Sequence, residues 1–120
     1  MPMKRFKSKF TTYNDGVLFV CKPQSEQSSF NAVINTVRKQ GIQRVLQLNY
    51  AELQKRERDL EFAESQGRTL SMKVKTRLHE KVTKYHMIII GDMLYSIIDL
   101  DKDTRAEEMF LYLEEVRRLT

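Results

Sequence analysis

At 120 residues, 41% hydrophobic and 31% charged, the chain has the size and composition of one globular domain that can bury a single core without disulfide or metal staples. One cysteine, Cys21, excludes a disulfide framework and suits a reducing compartment, and no run of about 18 apolar residues offers a membrane helix. The net charge of +5 is local, because Lys4, Arg5, Lys7 and Lys9 supply four of those charges within the first ten residues, a cluster suited to phosphate or an acidic surface.

The N-terminal stretch MPMKRFKSKF lacks a following apolar h-region, so secretion by that route is not expected. Phe6, Ser8, Phe10 and Thr12 alternate with Arg5, Lys7, Lys9 and Thr11, the period of a half-buried strand. Asn14-Asp15-Gly16 is a tight-turn signal and Val17–Cys21 returns as a second strand, which predicts an N-terminal hairpin over residues 1–21. Residues 22–41 form a long loop that turns polar at Pro23. Within it, Phe30, Val33, Ile34 and Val37 have the spacing of a short amphipathic helix capped by Ser28 or Ser29 and ended by Gly41. Ile42–Leu48 resumes strand character.

Asn49 with Glu52 makes a capping box, and the stretch to Gln66 carries no Gly or Pro, so a helix is expected over 50–66 with Gly67 just beyond its end. Its apolar stripe of Leu53, Leu60 and Ala63 is broken by Arg56 and Glu57, which suits a surface or a subunit contact. The C-terminal strands occupy 70–116. Leu70, Met72, Val74, Thr76 and Leu78 alternate with Ser71, Lys73, Lys75, Arg77 and His79, giving a core face and a basic wet face. Tyr85–Ile90 and Met93–Leu100 follow, joined by Gly91-Asp92, and Met109–Val116 returns after the polar loop Asp101–Ala106. Apolar residues sit on both alternation sets of this meander, so both sheet faces need cover, one by a barrel interior and the other by a helix or a neighbouring subunit.

Catalytic motifs are missing from the sequence. The glycines are isolated, so neither GxxxxGK[ST] nor GxGxxG occurs. His79 and His86 have no Cys, Asp or Glu at metal-ligand spacing. The acidic loop at Asp101 carries Arg105 at a calcium-ligand position and Ala106 where Gly is needed. Cys21 and the serines have no nucleophile elbow, and Glu107-Glu108 and Glu114-Glu115 are adjacent residues that a strand points to opposite faces. No catalytic residue, metal or cofactor is expected, and an enzyme is the least supported class.

The order of elements, together with EFAESQGRTLSMKVKTRL and KYHMIIIGDMLYSIIDLDKD, resembles the head closure family of long-tailed bacteriophages, also called stopper or head-tail joining proteins. Ala63, Thr69, Arg77, Gly91, Tyr95, Ile97 and Asp99 carry the match, which spans roughly the last two thirds of the chain by element order as well as identity. The resemblance implies an α+β, mainly β fold: a small antiparallel β-barrel or curled sheet with one principal α-helix and a long loop between the second and third strands. It implies a structural virion protein of the head-tail neck, assembled in the host bacterial cytoplasm. Such a protein forms a six- or twelve-fold homo-oligomeric ring below the portal or adaptor, closes the DNA-filled head and docks the tail terminator.

On that reading the loop after the second strand faces the lumen, where Lys22, Arg38 and Lys39 touch packaged double-stranded DNA without reading bases. Arg56, Arg58, Glu61, Tyr95 and Tyr112 are then expected at subunit or partner interfaces. Two other readings stand beside it. A nucleic-acid-binding barrel of the SH3-like or OB type would use Lys73, Lys75, Arg77, His79 and the Lys4–Lys9 tail, although Tyr85, Tyr95, Phe110 and Tyr112 fall within apolar strands and not beside those cations. A phage tail terminator or tail completion protein would share the small fold and the ring.

Overall fold

A computed structural model describes residues 13–22 and 42–119 of the chain. Among the described residues, six strands, β1 (Gly16–Cys21), β2 (Arg44–Leu53), β3 (Met72–Arg77), β4 (Met87–Ile90), β5 (Met93–Asp103) and β6 (Glu108–Arg118), and one helix, α1 (Glu57–Ser65), make an α+β, mainly β fold. The strands close on themselves in the order β1-β2-β3-β6-β5-β4, every pairing antiparallel. Closure removes the unpaired edges that an open sheet would present.

Alternation explains which side chains fill the barrel. Leu18 and Val20 of β1, Tyr50 of β2, Val74 of β3, Ile88 of β4, Tyr95 and Ile97 of β5, and Met109, Leu111 and Leu113 of β6 form one buried cluster, with Val82 from the β3–β4 loop plugging one end. Each fully buried aliphatic side chain contributes roughly 2 kcal/mol over an exposed one.

The outer face also carries apolar residues, as the doubled alternation predicts, and the chain covers much of it itself. Ala63 of α1 packs on Leu70 and Ile98, with Tyr112 alongside. Elsewhere Leu119 packs on Cys21, Ile89 and Leu94, held there by its N–H bonded to the Asp92 carbonyl at 2.6 Å.

The β4–β5 hairpin turns through Gly91-Asp92 as the sequence predicts, with Ile90 paired to Met93. Gly91 has φ 62°, the left-handed value that the first central residue of this turn requires. Elsewhere the structure moves boundaries. The helix expected over 50–66 begins only at Glu57, because Tyr50–Leu53 continue β2 and pair with Thr76–Lys73 of β3. The expected capping-box residue Glu52 has its N–H taken by the Asp15 carboxylate at 2.7 Å, and the N-cap is Arg56, whose N–H donates to the carboxylate of Asp59, the third helical residue, at 3.0 Å. A burying ladder thus outcompetes a local capping pattern. The helix does end as expected: Gly67, φ 70°, donates to Glu64 O and Arg68 to Ala63 O, at 2.9 Å each, the Schellman arrangement.

The strand expected over Phe6–Thr12 and the helix expected within 30–41 lie outside the described residues. Both edges of β1 from Leu18 to Cys21 are occupied, by β2 and by β4. Tyr85, expected in a strand, precedes β4 in a loop, and Asp101–Asp103, expected in a loop, extend β5 to a turn over Thr104–Glu107.

Candidate functional site

Strand polarity sorts the loops onto the two ends of the barrel. At one end lie the close of β1, the start of β2, the β3–β4 loop and the β5–β6 turn. Lys22 is exposed there, and its N–H bonds the Gln43 carbonyl at 3.0 Å, so the chain leaves β1 and enters β2 at one tied point. Arg38 and Lys39, the other residues expected to face a lumen, lie outside the described residues. Arg44, opposite Cys21, lays its guanidinium 4.0 Å from the centroid of the Phe19 ring on the outer wall.

The β3–β4 loop is held by several bonds. Leu78 N–H donates to Glu107 O at 2.9 Å, and Lys102 Nζ to Glu80 O at 2.9 Å. His79 accepts the Lys81 N–H on Nδ1 at 3.3 Å, and His86 accepts the Thr83 N–H on Nδ1 at 3.1 Å. With Nδ1 accepting in both rings, the neutral tautomer carries its proton on Nε2. These histidines and Lys81 line a pocket of about 170 Å³ whose apolar wall is Val20, Val45, Leu46 and Val82. The place of the two histidines in one loop with apolar neighbours below it depends on strand pairing and has no signature in their local sequence.

Tyr85 is 71% exposed beside Lys84. An exposed aromatic side chain in the β3–β4 loop, next to Lys84 in sequence, replaces its expected strand position.

The opposite wall, β3-β6-β5, carries α1. Lys73, expected on a wet basic face, is buried: its Nζ lies 3.0 Å from Asp59 Oδ2 and 5.3 Å from the centroid of the Tyr112 ring. Burial pushes the Asp59 carboxyl up, but the hydrogen bonds from Lys73 and the Arg56 N–H outweigh it and hold the group below its ordinary value. Lys75 lies 3.9 Å from Glu108. Two of the four basic residues expected to form a nucleic-acid strand, Lys73 and Lys75, are therefore partnered by carboxylates within the chain. Beside α1, Arg68 bonds Glu114 through Nε and Ser96 Oγ through Nη2 at 2.6 Å, and Thr69 N–H reaches the second Glu114 oxygen at 3.0 Å. Those bonds hold the Glu114 carboxyl below its ordinary value.

Of the residues expected at interfaces, Arg56, Arg58 and Glu61 are exposed on or at α1. Tyr95 is corrected: it points into the barrel interior, 8% exposed, because its parity along β5 is that of Met93 and Ile97. Tyr112 is half-buried in the seam under Lys73 and α1 instead of on an open surface.

Among the described residues, no group of three or more His, Cys, Asp or Glu could hold a metal ion, and no helix is long and apolar enough to cross a membrane. The Cys21 thiol is buried, and burial pushes it up to about 11 despite the nearby Arg44 charge, so little thiolate exists at neutral pH. No protein-family model and no curated protein matches the chain.

Proposed function

We propose that this chain is a structural, non-catalytic subunit of a phage head-to-tail connector: a ring below the portal or adaptor that closes the DNA-filled head and docks the tail. The observation that carries the reading is the tied exit at Lys22 and Gln43. The long interval between β1 and β2 begins and ends at one barrel end, where exposed Lys22 and Lys84 stand. Repeated around a ring, such cations would attract phosphate without base contacts. A small antiparallel β-barrel with one helix is the fold that the resemblance implies, and the described residues form such a barrel. Deleting residues 24–40 tests the role: packaged heads carrying the variant are expected to leak DNA, and heads that retain DNA as well as wild type would count against gating.

Tyr85 gives a second reading its specific support. An exposed ring next in sequence to Lys84 and close in sequence to Lys81, both exposed, offers one stacking surface in a basic loop, as a single-strand-binding barrel would need. Binding to single-stranded DNA that falls steeply with salt and is lost in Tyr85→Ala would favour it over the connector.

A further inference from the structure

The 170 Å³ pocket at the barrel end has an aliphatic wall of Val20, Val45, Leu46 and Val82 and a rim of donors: the Lys81 ammonium and the His79 and His86 rings. Each ring has Nδ1 engaged by a backbone N–H, which leaves Nε2–H as its remaining donor. A cavity of about 150 Å³ is large enough to take a benzene molecule, so this one can hold a single branched aliphatic side chain. Lys81 has no carboxylate partner among the described residues, and Val45 at its edge is 50% exposed.

The matching shape is on α1. Leu60 is 40% exposed, and the residues three before and four after it, Glu57 and Glu64, share its face of the helix. Both carboxylates are exposed and carry no ion pair among the described residues. An aliphatic knob bracketed by two acids thus lies on the β3-β6-β5 wall, while an aliphatic hole ringed by donors lies at the β1-β2 side of the barrel. The two sit on different sides of one molecule, so a subunit cannot join them to itself. Contacts of this kind are heterologous, and they propagate into a ring or an open filament instead of closing as a two-fold dimer.

We propose that the barrel-end pocket receives helix α1 of a second copy of this chain. Leu60 of one copy seats against Val45, Leu46 and Val82 of the next, and Glu57 and Glu64 accept hydrogen bonds from Lys81 Nζ and the histidine Nε2–H groups. Arg58, two residues from Leu60, points off this face and does not oppose Lys81. The proposal rests on the ring reading only in taking the partner to be another copy.

Cross-linking and charge exchange test it on the full chain. Mixing Leu60→Cys with Val45→Cys under mild oxidation is expected to give a disulfide-linked pair that neither variant gives alone, with wild type reporting any background from Cys21. Failure of the mixture to cross-link beyond that background overturns the contact. In sedimentation velocity, Leu60→Glu and Lys81→Glu are each expected to weaken self-association by about tenfold or more, as loss of an interfacial anchor does. Combining Lys81→Glu with Glu57→Lys and Glu64→Lys is expected to restore it, and absence of rescue overturns the proposed pairing. Circular dichroism matching wild type establishes that each variant is folded. The outcomes separate from the connector reading: a chain that cross-links as predicted yet never joins phage heads keeps this contact and loses the connector. Phage necks that assemble normally with Leu60→Glu keep the connector and lose this contact.

Discussion

Two lysines on opposite sides of the barrel show how differently its walls are finished. Lys73, on the wall under α1, is buried against Asp59 and the Tyr112 ring. Lys81, at the rim of the β1-β2 end, is exposed beside an apolar pocket and meets no carboxylate among the described residues. A buried ammonium must be paired, so the first wall depends on its own helix. An exposed one costs nothing to leave in water, so the second wall can wait for a partner. Among the described residues, one side is completed by the chain's own helix and the other leaves Lys81 and Val45 exposed.

The largest effect should come from the core that both walls share. Leu111→Ala removes a side chain that is 0% exposed at the barrel centre, and the cavity is expected to cost roughly 3 kcal/mol. Urea denaturation should show one lowered transition; two transitions would mean that the walls unfold separately.

Next comes the clamp. Asp59→Ala strands a buried ammonium and removes the bond to the Arg56 N–H, for an expected loss of about 3 kcal/mol. Lys73→Met in the same background should restore much of it, because no unpaired charge remains. A double-mutant cycle with no coupling would show that the helix does not depend on this pair.

Acid sharpens the comparison further. Asp59 and Glu114 both sit below their ordinary carboxyl values in the folded chain. The unfolded state therefore binds protons first as pH falls, so their stabilisation is complete above the ordinary carboxylate range and disappears as pH drops through the folded values. The urea midpoint is expected to fall from neutral to acid pH, and Glu114→Gln should lower it at neutral pH while flattening that fall. A midpoint in Glu114→Gln with the full acid dependence of wild type would remove Glu114 from the account.

The smallest effect belongs to the open side. Val45→Asp, at a half-exposed site, is expected to change stability by under about 0.5 kcal/mol. Thermal melting at fixed concentration checks it, and a loss comparable to that of Leu111→Ala would mean that this wall is already packed.

Much of the fold could be read from residues alone because its signals were local. The Gly91-Asp92 step between two β-rich runs gave the hairpin, and alternation from Leu70 to Leu78 gave β3. The helix start was hidden by Asn49 and Glu52, which imitate a capping box while lying in a strand that two neighbours pair on both edges. Parity concealed Tyr95: its strand has apolar residues on both faces, so the sequence did not distinguish inside from outside. Lys73 read as wet because alternation carries no information about the helix that crosses over it. The pocket had no local signature, since Val20, Val45, His79 and His86 meet only when the barrel closes.

The most direct measurement is an electron cryomicroscopy reconstruction of phage necks containing this chain. The account predicts a ring of six-stranded barrels below the portal or adaptor, with the Lys22 end of each barrel facing the central channel. Necks whose connector layers are filled by other proteins, with this chain absent from the particle, would contradict it.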